Sequence, residues 1–194
     1  TSKLLDHPKA LCNQLRRVAI DAGRITLDYF DDAGCVLDDK SDGSPVTLAD
    51  QKAEDFIRKA LHDILPDIPF IGEEARAANA CDLIGASEYF WLVDPLDGTK
   101  EFISGSGEYT VNIALVYQNF PCIGIVYAPV IGDLYGGFGA GTSFKWHEES
   151  NHEKLISVRD MPREGLTVVS SKSHGSGERQ DRFLEDFKIN KVLK

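Results

Sequence analysis

Apolar side chains recur every three or four positions near the start of the chain. Leu11, Leu15, Val18, Ala19, Ala22, Ile25 and Tyr29 fall on one face of a helix over about residues 9–30. The segment from Asp31 to Pro45 carries Gly34, Gly43 and several acids, which predicts a loop or irregular hairpin. A second stripe, Ala53, Phe56, Ile57, Ala60, Leu61 and Ile64, predicts a helix from about Thr47 to Leu65, stopped by Pro66. Phe70-Ile71 and Tyr89 to Val93 read as short buried strands separated by a polar loop. Then the period changes to two. Tyr109 to Tyr117 is a strong strand and Gln118 to Pro121 a turn. Cys122–Val130, Leu134–Phe138 and Thr142–Trp146 follow as returning strands of an antiparallel meander.

The polar segment from His147 to Lys154 reads as a linker or hairpin tip. Leu155–Val158 and Leu166–Ser170 are expected as further strands, and Phe183, Leu184 and Phe187 mark a helix. Helices, then a meander, then the start of a βα pattern predict an α+β domain leading into an α/β one. The expected boundaries are 1–153 for an N-terminal α+β metal-binding domain and 154–194 for the start of the second.

Composition narrows the function classes. The 194 residues are 42% hydrophobic and 27% charged, ordinary globular values. No apolar run approaches the roughly 20 residues of a membrane-spanning helix, and no signal peptide is visible. Thr1 in place of an initiator Met suggests that the true N-terminus lies upstream. The four cysteines form no C-x-x-C pair, which disfavours zinc and fits scattered reduced thiols in a cytosolic protein. The net charge of −10 argues against general nucleic-acid binding, which needs a basic face. An acidic protein binds an anionic phosphate only where local cations reverse the field.

The chemistry concentrates at two strand ends. Asp94 and Asp97 bracket Pro95-Leu96, and Gly98-Thr99 follows at once. Proline fixes one φ and predicts a turn on which both carboxylates and the Leu96 carbonyl converge. Upstream, Glu73-Glu74 ends the run Phe70-Ile71-Gly72. Four carboxylates at two strand ends are too many to bury without cations, and hard oxygen donors suit Mg²⁺. A glycine beside a hydroxyl and free N–H groups suits a phosphate. Together they point to metal-assisted hydrolysis of a phosphate ester. Each motif also has a plainer reading. Asp-Pro alone is an ordinary turn, and Glu73-Glu74 alone suits a helix start. Thr47-Leu48-Ala49-Asp50 fits a capping box. In the functional reading, Asp50 accepts a hydrogen bond from the Thr99 hydroxyl and helps it take a proton from metal-activated water. Ser171-Lys172-Ser173-His174-Gly175 suits a nucleotide or is a solvated loop, and Lys40 is a charge near the phosphate or one exposed lysine.

Pro69-Phe70-Ile71-Gly72-Glu73-Glu74 and Asp94-Pro95-Leu96-Asp97-Gly98-Thr99 resemble the two leading motifs of the inositol monophosphatase-like superfamily of Mg²⁺-dependent, Li⁺-sensitive phosphatases. Lys100-Glu101-Phe102-Ile103, Gly107 to Ala114 and Gly124 to Val130 are similar to its 3′(2′),5′-bisphosphate nucleotidase branch, the CysQ type, as is Ser171-Lys172-Ser173-His174. The resemblance covers essentially the whole chain. It implies a layered α/β sandwich of the inositol monophosphatase or sugar phosphatase type. It implies two or three Mg²⁺ ions as cofactors. Glu73, Asp94 and the Leu96 carbonyl would hold the first. Asp94 and Asp97 would contribute to the second, and Glu73 would also touch a third or the nucleophilic water. Glu74 and Lys40 would support these groups from one layer out. Gly98 and Thr99 would donate N–H groups to the scissile phosphate, and Asp50 with Thr99 would activate water. Ser171, Ser173 and His174 would lie near the nucleotide.

The implied reaction is release of the 3′-phosphate from adenosine 3′,5′-bisphosphate, a by-product of sulfate activation and transfer. The implied partners are a small nucleotide bisphosphate and no nucleic acid, with a monomeric or homodimeric state. The expected location is the cytoplasm, with peripheral association at the inner face of the cell membrane as the alternative. Inositol monophosphates and fructose 1,6-bisphosphate are rival substrates, and an inactive metal- or nucleotide-binding fragment is the rival class. A haloacid-dehalogenase-type phosphatase is disfavoured because Pro95 stands where its nucleophilic aspartate would be. Family members carry a later Trp-Asp motif that supplies one more metal-binding aspartate. Here the only tryptophans, Trp91 and Trp146, precede Leu92 and His147, so the second domain is expected to be truncated.

Overall fold

The structure is a computed structural model that describes residues 3–30, 45–72, 87–170 and 178–193. The chain divides into two compact units, residues 1–156 and 157–194.

The first unit is built on two helices, α1 (Pro8–Leu27) and α2 (Pro45–Ile64), and a seven-stranded sheet. Pro8 suits the start of α1, where its missing N–H has no intrahelical partner to lose. Arg24 sits in the last turn, where the helix dipole favours a cation. The apolar stripe buries Leu11, Leu15, Val18, Ala19 and Ala22. Tyr29, expected in the helix, lies in the turn beyond it. α2 begins at Pro45, two residues before the expected start. Thr47 is therefore inside the first turn, and the capping box proposed with Asp50 does not form the helix start.

The sheet runs β1 (Phe70–Ile71), β2 (Tyr89–Asp97), β3 (Thr110–Tyr117), β4 (Phe120–Ala128), β5 (Asp133–Gly137), β6 (Phe144–His147) and β7 (His152–Leu155) in that spatial order. A short helix, α3 (Thr99–Ile103), lies between β2 and β3. β1 pairs parallel to β2 and every later pair is antiparallel, as expected of a meander. Gln118 and Asn119 close the β3–β4 hairpin with φ of 46° and 68°, the paired positive φ of a tight hairpin turn. The polar segment after His147 is a hairpin, and its return strand β7 ends at Leu155, where a separate strand was expected to start.

Strand alternation decides which side of the sheet is core. Trp91, Val93, Val111, Ile113, Leu115, Ile123, Ile125 and Tyr127 are buried and pack with α1 and α2 in one cluster. Their neighbours Leu92, Asp94, Thr110, Asn112 and Ala114 are only partly buried on the other face. Burying such apolar side chains stabilises by about 1.5–3 kcal/mol each.

The second unit pairs β8 (Leu166–Val169) parallel to β9 (Ile189–Leu193), with α4 (Glu178–Leu184) between them in sequence. β9 was not anticipated: Ile189 to Leu193 carries Asn190 and Lys191 in a five-residue run, too short a signal to read.

Candidate active site

β2 was expected to end before a turn at Pro95. It continues instead to Asp97, because a bulge absorbs the proline. Asp94 pairs with Asn112 and Asp97 with Thr110, so two residues of β2, Pro95 and Leu96, oppose Val111 alone. Pro95 and Leu96 are both buried, which breaks the alternation at that point. The consequence is geometric. Residues three apart in a regular strand point to opposite faces. The extra residue restores the parity, so Asp94 and Asp97 share the face that bears Thr110 and Asn112. Burying proline costs no ladder hydrogen bond where the bulge has already interrupted pairing.

The two carboxylates differ in environment. Asp94 is half-buried, and its Oδ1 accepts from the Leu96 N–H at 3.3 Å. Asp97 is exposed, and its Oδ2 accepts from Asn112 Nδ2 at 3.0 Å. Gly98 follows with φ of 108°, a conformation that L side chains rarely adopt, and caps α3. A Cβ there would stand 3.1 Å from the Glu108 carbonyl oxygen and from Tyr109 Cα. Thr99 opens α3 and is exposed.

A small second core fixes this corner. Leu96, Phe102 and Tyr109 are buried with Ala49, the residue before Asp50, and Phe30 packs against them. Phe102 and Tyr109 meet edge to face with centroids 5.0 Å apart. Ala49 thereby ties the first half of α2 to the bulge and α3, which brings Asp50 to the same corner with its Oδ1 buried. Thr26 Oγ1 donates to the Gly23 carbonyl at 2.7 Å. Its single proton is then committed, so the Tyr109 hydroxyl, 3.0 Å away, donates to Thr26. Burial pushes Tyr109 up to about 12.

Of the residues singled out from sequence, Asp50, Asp94, Leu96, Asp97, Gly98 and Thr99 come together here. Lys40, Glu73, Glu74, Ser171, Ser173 and His174 lie outside the described residues. Among the described residues no group of three His, Cys, Asp or Glu side chains forms. Asn112 was missed, although the period-two pattern of β3 puts it on the face opposite the core. Cys12 and Cys122 are free thiols.

The sequence profile of the inositol monophosphatase family matches residues 8–192. The chain belongs to this family. It is similar to the 3′(2′),5′-bisphosphate nucleotidase CysQ of Escherichia coli (strain K12), with 39% identity over 169 residues. That match covers 87% of this chain and 66% of the relative. CysQ of Buchnera aphidicola is 34% identical over 188 residues, covering 96% of this chain and 68% of that protein. The chain thus spans about two thirds of the length of these relatives. Among solved structures, CysQ from Bacteroides thetaiotaomicron superimposes with a TM-score of 0.74 at 27% identity, covering 95% of this chain and 72% of that one. The fold is accordingly the layered α/β arrangement of inositol monophosphatases.

Members of the family are metal-dependent, generally on Mg²⁺. The residues described here fit such a cation. Asp94 and Asp97 offer hard, anionic oxygens on one face, the donor type that suits Mg²⁺. Next to them the amide oxygen of Asn112 is buried without a hydrogen-bond partner among the described residues. No helix among them is long and apolar enough to cross a membrane.

Proposed function

We propose that the protein is a Mg²⁺-dependent 3′(2′),5′-bisphosphate nucleotidase that releases the 3′-phosphate of adenosine 3′,5′-bisphosphate, giving AMP and phosphate. The observation that carries this reading is the shared face of Asp94 and Asp97, set by the Pro95-Leu96 bulge and followed directly by Gly98-Thr99. The identity near 40% to CysQ enzymes favours the nucleotide over inositol phosphates.

Asp94, Asp97 and the Leu96 carbonyl would hold the cations together with Glu73, and Glu74 and Lys40 would support them. Bound Mg²⁺ supplies an acidified water and neutralises charge on the phosphate oxygens. The chain's own work is positioning and proton transfer. Backbone N–H groups of Gly98 and Thr99 would hold the scissile phosphate. The Thr99 hydroxyl would take the proton of the attacking water while passing its own to Asp50. Ser171, Ser173 and His174 would meet the nucleoside end. Water attacks phosphorus directly, so no phosphoenzyme forms. Residues 154–194 would open the α/β domain that completes the nucleotide site. The role would be clearance of a by-product of sulfate activation in the cytoplasm.

The test is phosphate release by the full-length protein in Mg²⁺. Adenosine 3′,5′-bisphosphate should exceed inositol 1-phosphate and fructose 1,6-bisphosphate in kcat/KM, with lithium competing against Mg²⁺. A reversed preference moves the protein to another branch of the family. Nucleotide binding without turnover makes it a binding module.

A further inference from the structure

Asn112 carries a role that neither the motifs nor the resemblance assign. It sits on β3, directly across from Asp94, and reaches diagonally to Asp97, where Nδ2 donates to Oδ2 at 3.0 Å. The amide orientation follows from charge: turned over, its oxygen would face a carboxylate oxygen and lose the bond. This leaves Oδ1 buried with no partner among the described residues. Buried side-chain acceptors are nearly always satisfied, and an exception calls for a reason. Here the exception belongs to a residue that pairs with Asp94 across the strands and bonds Asp97, two acids that would hold a cation.

We infer that Asn112 is a positioning residue for the metal site: its N–H fixes one oxygen of Asp97 so that the other is presented to the cation, and its buried Oδ1 accepts from a water that hydrates the cation. The inference rests on the proposed metal role of Asp97. Three features of the chain make the arrangement specific. The bulge brings Asp97 onto the Asn112 face. Asp97 is exposed, so without a tether its carboxylate would sample several rotamers. An amide offers a donor and an acceptor on one planar group, while adding no charge to an already anionic corner. Mg²⁺ demands near-octahedral geometry and keeps several waters, so a fixed ligand oxygen and an outer acceptor both serve it.

The test uses the full-length protein and measures Mg²⁺ binding by calorimetry, with melting in the presence and absence of Mg²⁺. Asn112→Ala should weaken Mg²⁺ roughly 10- to 100-fold, the range for losing an outer-shell partner. Melting without Mg²⁺ should stay close to wild type, because the variant also removes an acceptor that is buried without a partner among the described residues. In an Asp97→Asn background the same change should cost clearly less than it does alone, since the tether to Asp97 no longer matters and only the water contact is left to lose. Unchanged Mg²⁺ affinity in Asn112→Ala, with affinity lost in Asp97→Asn, overturns the inference and leaves the site reading standing. Strictly additive losses overturn it as well. Unchanged affinity in Asp97→Asn sinks the site reading itself. If Asn112→Ala does not fold, Asn112→Ser serves in its place: it keeps a polar group but is too short to span to Asp97, and it should show the same loss.

Discussion

Asp94 is the residue on which most of the proposed chemistry converges. It leaves a buried stretch of β2 and enters the bulge, and a backbone N–H two residues on already holds one of its oxygens. Asp94→Asn keeps that shape and removes a charge that two cations would share. Mg²⁺ affinity and turnover should both fall, by roughly 100-fold or more for turnover. Without Mg²⁺ the variant should melt at or slightly above wild type, because repulsion with Asp97 is relieved. Wild-type Mg²⁺ stabilisation in the variant would remove Asp94 from the site.

A second residue-scale expectation concerns Tyr109. Its hydroxyl stays protonated in the fold up to about 12, against 10.0 for the ordinary side chain. The unfolded chain therefore loses this proton first as pH rises. The contribution of Tyr109 is intact below pH 10 and falls between about 10 and 12, by at most ~1.4 kcal/mol per pH unit. Burial and its bond to Glu148 raise Tyr127 as well, so it adds a loss of the same sign. Melts at about pH 8 and about pH 11 should show a smaller drop for Tyr109→Phe than for wild type. Equal drops would mean that Tyr109 ionises as freely in the fold as outside it.

At the scale of elements, the bulge and the glycine after it set the site. Gly98 and Gly139 both have strongly positive φ, 108° and 128°, but they differ in surroundings. A Cβ on Gly139 meets nothing within 4 Å, whereas on Gly98 it would press on the Glu108 carbonyl and Tyr109. Gly139→Ala should cost only backbone strain, about 1–3 kcal/mol. Gly98→Ala should cost more and should also depress turnover, since the backbone must shift beside Thr99. Equal destabilisation in chemical melts would show that the close approach at Gly98 is readily relieved.

The same elements explain what could be read beforehand. Helix stripes and strand alternation are periodic signals, and α1, α2 and the meander follow them closely. The Asp94-Asp97 pair was legible as chemistry because carboxylates around a Gly-Thr are unusual. Its mechanism was not. Proline suggested a turn, and only the pairing to Asn112 and Thr110 reveals a strand carried through a bulge. That pairing is a tertiary fact, because Val111 opposes two residues only once β3 is in place. The period of β3 places Asn112 on the face opposite the core, but its role is hidden for the same reason: nothing local says that Asp94 and Asp97 stand across from it.

At the scale of the molecule the net charge of −10 becomes a constraint on binding. A phosphate approaching this surface is repelled overall, and Mg²⁺ at Asp94 and Asp97 would be what reverses the local sign. Salt should then act in opposite senses on the two states. The product AMP serves as the probe, since it is not consumed. With Mg²⁺ present, added NaCl screens an attraction and should weaken AMP binding. With Mg²⁺ removed by EDTA, AMP should bind far more weakly, and NaCl should leave that residual binding unchanged or improve it, because it screens a repulsion over the ~10 Å Debye length at 0.1 M. Calorimetric titrations across a salt series in both conditions make the comparison. Tight AMP binding in EDTA that weakens with salt would mean that basic side chains hold the phosphate. The cations would then be dispensable for recognition, and the acidic pair on the β2 bulge would need another explanation.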